Sequence, residues 1–111
     1  MTKITLKKDT VFGFGEIKTS GHSGYSECGS DIICSYISSS CELVMSILID
    51  ALGADTETNI NPEKALFEFK VLPTDKNKSL ADSISAVTNG FMLQMKNFSD
   101  EFPKFVSITF A

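Results

Sequence analysis

The 111-residue chain contains no arginine and no tryptophan. Its ten lysines face fourteen carboxylates, a formal net charge of −4. That balance argues against nucleic-acid binding, because phosphate affinity is built from clustered basic charge and base reading leans on arginine. An acidic surface would instead attract a basic protein partner. No apolar run is expected to approach the roughly twenty residues of a membrane span, so no membrane association is foreseen. Met1 to Asp9 alternates instead of forming an apolar signal-peptide core. Cysteine is scarce, at three residues. An odd number without a secretion signal points to a reducing cytoplasm and away from a disulfide framework. Repeats, low-complexity tracts and linkers are also missing, and the length fits one domain over residues 1–111.

What is present reads as an α+β domain. Ile4 and Leu6 alternate with Lys3, Thr5 and Lys7, the period of a half-buried strand. Asp9-Thr10 can turn the chain into a second strand from Val11 to Thr19, where Gly13 and Gly15 suggest a bulge or a close backbone approach. Residues 20–30, SGHSGYSECGS, hold three glycines and four serines and form a loop. Ile33, Ile37, Val44, Leu48 and Ala51 then recur at helical spacing, with Ser30 or Asp31 as N-cap and Gly53 as the left-handed stop. Ala65, Phe67, Phe69 and Val71 alternate in a third strand ended by Pro73. Ser79 with Asp82 resembles a capping box opening a second helix, whose stripe is Leu80, Ile84, Val87, Phe91, Met95 and Phe98. Pro103 stops it, and Val106, Ile108 and Phe110 form a last strand. The order β-β-α-β-α-β implies two helices packed on a four-stranded, mostly antiparallel sheet.

Chemistry points to one place. The sole histidine, His22, lies in the glycine-serine loop, and Cys34 follows twelve residues later in the first turn of the first helix. The first amides of a helix lack intrahelical acceptors and carry about half a positive charge together. Cysteines in such a field, with a neighbouring imidazolium, can fall several units below the free value of ~8.5. A loop-borne imidazole could take the thiol proton and return it to a leaving amine, and the same amides could bind an oxyanion. Against this stands the ordinary behaviour of both residue types: cysteine on an apolar helix is commonly core, and a lone loop histidine is commonly solvated. Cys41, on the same helical side and two turns deeper, reads as core. A metal held by His22, Cys28, Cys34 and Cys41 would have the Cys₃His ligand count, but the spacing lacks a short C-x₂₋₄-C clip, so neither metal nor cofactor is expected.

The string around the pair is more specific. GHSGY at residues 21–25, Gly29, DIIC at 31–34 and Ser38 one turn on resemble the hallmark of the Prp family, the ribosomal-processing cysteine proteases of Firmicutes and related bacteria. Ser23 and Ser26 stand where that family favours alanine, Cys28 where it often has an aromatic, and Tyr36 with Ser38-Ser39-Ser40 replaces a more alanine-rich turn. None of these removes a reacting group. The resemblance implies a cytoplasmic endopeptidase that trims the N-terminal extension of large-subunit ribosomal protein twenty-seven, with His22 as catalytic histidine and Cys34 as nucleophile. It implies supporting roles for Gly21, Gly24 and Gly29 in the loop, and for Ser38. Asp31 either orients His22 or caps the helix.

By the same resemblance, substrates are cut after a segment of alternating leucine and phenylalanine, before a small residue and a basic tail. Tyr25 is a candidate for lining the groove, as are Phe12 or Phe14, whose other fate is the core. The resemblance also implies a homodimer, for which Met92, Met95 and Phe98 could supply the surface unless they face the sheet. Two further readings stay open: a non-enzymatic ribosome-assembly or interaction module, and a thiol redox sensor using Cys28 and Cys34.

Overall fold

The structure, a computed structural model, describes residues 1–21 and 32–111. The chain runs β1 (Thr2–Asp9), β2 (Gly13–Ser20), α1 (Ile32–Met45, continued by a π-helical turn Ser46–Ala51), β3 (Thr56–Asn61), β4 (Leu66–Val71), α2 (Asp75–Ser79), α3 (Ala81–Glu101) and β5 (Val106–Phe110). The sheet order is β3-β4-β2-β1-β5. β1 pairs with β2, β2 with β4 and β3 with β4 antiparallel, while β5 joins β1 in parallel. The sheet is thus mostly antiparallel, as expected, with five strands among the described residues instead of four.

β3 is the added strand. Its residues, TETNIN, are all half or fully exposed, and among the described residues it pairs only with β4. Periodicity cannot reveal such a strand, because an edge strand solvated on both faces has no apolar alternation to show.

The pairing also fixes where the helices go. β2 and β3 run the same way and are linked through α1; β4 and β5 run the same way and are linked through α3. Right-handed crossovers in these two opposite senses put both helices over one face. That face is the core, where Ile4, Leu6, Ile17, Phe67, Phe69, Val71 and Val106 meet Ile33, Ile37, Val44 and Leu48 of α1 and Ile84, Phe91, Met95 and Phe98 of α3. The opposite face is polar. Lys18 and Glu68 (3.7 Å) and Lys70 and Glu16 (3.6 Å) pair across β2 and β4 on it, half-exposed and so worth little.

The glycines of the first hairpin do what the sequence suggested. Asp9 Oδ1 accepts from the amides of Val11 (2.7 Å) and Phe12 (3.0 Å), closing the turn. The register slips by one residue between Lys7 and Lys8, leaving Gly15 as the extra residue, so that Phe14 and Ile17, of opposite parity, both reach the core. Gly13 has φ +74°, and a Cβ there would stand 2.6 Å from Thr88 Oγ1. The approach serves a bond pair: Thr88 Oγ1 accepts from the Phe14 amide (3.1 Å) and donates to the Phe12 carbonyl (2.7 Å), fixing α3 to the hairpin. Phe12 and Phe14 are buried.

Several expectations need correcting. The Ser79–Asp82 capping box does not form, since α3 begins after Leu80 with no side-chain cap. The cap lies one element earlier, where Thr74 Oγ1 accepts from the Asn77 amide (3.2 Å) at the start of α2. Asn77, fully buried, donates to the carbonyls of Asp55 (2.7 Å) and Leu72 (2.8 Å) and accepts from the Asp55 amide (2.9 Å). Ala51 is exposed, because the wider π turn rotates it off the stripe that Leu48 keeps; Gly53 then stops the helix at φ +67°. Met95 and Phe98 face the core and are not free to form a dimer surface, while Met92 is half-buried. Finally, Ile32–Ala51 spans 20 residues at mean hydropathy 1.8, long and apolar enough by composition to cross a membrane, contrary to the expectation of no such run. Here its stripe from Ile33 to Leu48 packs in the core.

Candidate active site

A groove lies between α1 and the stretch of chain from the end of β3 to the start of β4. Its cavity measures about 310 Å³ and is bounded on one side by Cys34, Ile37, Ser38, Cys41, Glu42 and Met45 of α1. These positions form two neighbouring rows, spaced four and then three or four residues apart, so one helical face supplies the whole wall. The other wall consists of Ile60, Pro62, Ala65, Leu66 and Phe67, from the end of β3 to the start of β4. Thr2, Thr19 and Gly21, where β1 begins and β2 ends, close it.

Cys34 is the third residue of α1 and half-buried. Its place in the first turn, read from the sequence, is therefore observed, and Ser38 follows one turn later on the same wall. Cys41 is different in kind. It is only 2% exposed, with Sγ 3.9 Å from Thr19 Oγ1, and burial pushes its thiol up to about 12 against the weaker opposing effect of that contact. A thiol so placed stays protonated at neutral pH and is a poor nucleophile.

The strand ends on either side of the groove are held by specific contacts. Asn61 Oδ1 accepts from the Lys64 amide (3.3 Å) around the 3₁₀ turn Pro62–Lys64, and Ala65 follows in the left-handed conformation at φ 47°. On the opposite side Gly21 has φ +83°, and its carbonyl accepts from Thr2 Oγ1 (3.1 Å). A Cβ on Gly21 would lie 2.8 Å from the Met1 carbonyl oxygen. Gly21 is covalently joined to His22, so this clamp is where the histidine-bearing segment starts.

Of the residues singled out in the sequence, the structure brings Gly21, Cys34 and Ser38 to one groove. His22, Gly24, Tyr25, Cys28, Gly29 and Asp31, and with them the N-cap of α1, lie outside the described residues. Thr2, Thr19, Glu42 and the wall from Ile60 to Phe67 were not anticipated as site residues. A larger hollow of about 560 Å³ lies over the polar face of the sheet, lined by Lys7, Glu16, Lys18, Glu68 and Lys70, and none of its described lining residues is a thiol.

The family model for cysteine protease Prp matches residues 1–107. The chain belongs to the Prp cysteine protease family. It is a cysteine protease by that membership, and the fold agrees. The structure of the ribosomal processing protease Prp from S. aureus with a covalently linked product peptide superposes with TM-score 0.86 at 14% identity, each chain covered in full. The same protein with a substrate peptide gives 0.81, again at 14% identity and full coverage of both chains. SMU.848 from Streptococcus mutans gives 0.81 at 20% identity, over 99% of this chain and 93% of that one. No curated protein matches the sequence.

Proposed function

We propose that this Prp-family domain, residues 1–111, is an endopeptidase in which Cys34 is the nucleophile and His22 the general acid and base. The observation that carries the reading is the position of Cys34: a half-buried thiol in the first turn of a helix, at the wall of an apolar groove. The first turn is the positive end of the helix, a field that favours an anion beside it. The thiolate attacks the scissile carbonyl and forms an acyl-enzyme; His22 protonates the departing amine and then activates the water that releases the acid. In this reading Gly21, Gly24 and Gly29 support the histidine segment, Asp31 either caps the helix or orients His22, and Ser38 and Tyr25 line the peptide. No metal or cofactor takes part in these steps.

The substrate fits an extended segment. Ile37, Met45, Ile60, Leu66 and Phe67 offer apolar surface along the groove, suited to alternate side chains of a β-like peptide. Together with the net charge of −4, this supports the N-terminal extension of a basic large-subunit ribosomal protein, number twenty-seven, as the physiological target in the cytoplasm. A homodimer belongs to the same reading.

The test is mass spectrometry of a peptide spanning the extension junction after incubation with wild type and with Cys34→Ala. Wild type should cut at one bond, and Cys34→Ala should leave the peptide whole while melting like the parent. Equal cleavage by the two proteins would remove Cys34 from the mechanism. A binding module with no chemistry would leave the peptide intact in both.

A further inference from the structure

Among the described residues that line the Cys34 groove, Glu42 is the sole charged one. It stands in the row Cys34, Ser38, Glu42, each four residues after the last, so it shares a wall with the nucleophile. The other described lining residues, among them Cys41, Met45, Ile60 and Leu66, carry no charge to neutralise a carboxylate. Neither ion pair found among the described residues engages Glu42, both lying on the far face of the sheet. A carboxylate at the rim of an apolar groove is a selective contact, since it adds attraction for one class of side chain and repulsion for another.

We propose that Glu42 is a specificity-determining residue that reads a lysine or arginine of the bound peptide about four residues from the scissile bond. The distance follows from two repeats. Eight helical residues separate Cys34 from Glu42, a rise of about 12 Å at 1.5 Å each. An extended peptide advances about 3.3 Å per residue, so it covers that length in between three and four residues. Substrate selection then has two parts: the apolar wall holds side chains near the reacting carbonyl, and Glu42 fixes the charge at a set distance from it. The inference rests on Cys34 as nucleophile, because the distance is counted from its sulfur.

The experiment walks one residue, as lysine, glutamine or glutamate, through positions three to five on each side of the scissile bond in otherwise neutral peptides. kcat/KM is measured with wild type, Glu42→Gln and Glu42→Lys at low salt. At one position wild type should prefer lysine to glutamine by about two- to fivefold, the scale of an exposed charge pair, and disfavour glutamate. Glu42→Gln should level the three peptides there, and Glu42→Lys should reverse their order. The side on which the preference falls gives the direction in which the peptide lies along α1. No charge preference in this window, or one that persists unchanged in Glu42→Lys, would overturn the proposal. Cleavage of the neutral peptide by wild type and its loss in Cys34→Ala show separately whether the underlying reading stands.

Discussion

Replacing Gly21 by alanine should damage activity more than stability, and the structure sets the scale of each. Gly21 has φ +83°, a region that costs an L residue about 1–2 kcal/mol. Its new Cβ would meet the Met1 carbonyl oxygen at 2.8 Å, so one of the two must move. Met1 is 51% exposed and could swing away, but its neighbour is fixed on both sides. The Thr2 amide donates to the Phe105 carbonyl (2.9 Å), and Thr2 Oγ1 donates to the Gly21 carbonyl (3.1 Å). Relief of the clash therefore breaks the hydroxyl bond, adding about 1 kcal/mol. The sum is about 2–3 kcal/mol, seen as a fall in Tm on the order of 10 °C. On the proposal that His22 is the acid and base, the catalytic effect is larger because Gly21 adjoins it: a displacement of about 1 Å at a reacting group can cost about 10²-fold in rate. Urea melts with peptide turnover under saturating substrate separate the two effects. Thr2→Val, which removes the hydroxyl and adds no clash, should cost about 1 kcal/mol and lower kcat with KM little changed, with Thr2→Ser restoring it. Wild-type kcat and Tm in Gly21→Ala would refute the view that this clamp sets the geometry of the histidine segment.

Thr88→Val keeps the shape of a fully buried side chain but leaves the Phe14 amide and the Phe12 carbonyl without their partner, so it should destabilise by about 2–5 kcal/mol in chemical denaturation. A loss below about 0.5 kcal/mol would mean the hairpin is not anchored there. Cys41 sets an alkaline limit. Its thiol is held at about 12 when folded against an ordinary value of 9.0, so above pH 9 the unfolded chain gives up a proton that the folded chain retains. That difference is absent below pH 9 and lowers stability as pH rises toward 12, by at most about 1.4 kcal/mol per pH unit. Between pH 8 and pH 10 wild type should lose about 1 kcal/mol more than Cys41→Ala, the lysines titrating alike in both; parallel curves would contradict the burial.

The sequence made legible whatever repeats at a structural period. The α3 stripe from Ile84 to Phe98, the strands around Ile4 and Phe69, and Gly53 as a left-handed stop all stand in the structure as expected, because each is a strong apolar or conformational signal. What escaped was polar structure. Thr88 sits between Ile84 and Phe91 on the buried stripe, and a hydroxyl in that place was a usable hint that a backbone comes close. Asn77 and β3 gave no such hint: one is buried by its own three bonds, the other is held by pairing to β4 alone. The site divides in the same way. Cys34, Ser38 and Gly21 follow from a compact motif, whereas Ile60 and Pro62 reach the groove through β3 and the turn after it, and so through the element that periodicity could not show.

That division has a physical consequence for how this domain can change its target. α1 uses separate rows for separate tasks: Ile33, Ile37, Val44 and Leu48 carry the core, while Ser38 and Glu42 line the groove from exposed positions. Substitution of an exposed helical residue usually alters stability by less than about 0.5 kcal/mol, whereas truncating a buried isoleucine or leucine costs about 2–5 kcal/mol. The row that lines the groove can therefore vary almost independently of folding. The opposite wall has less freedom, because Phe67 belongs to the core and Ala65 holds a left-handed turn. The charge selection proposed for this groove would be most easily rewritten along Ser38 and Glu42, with the thiol at their head left in place.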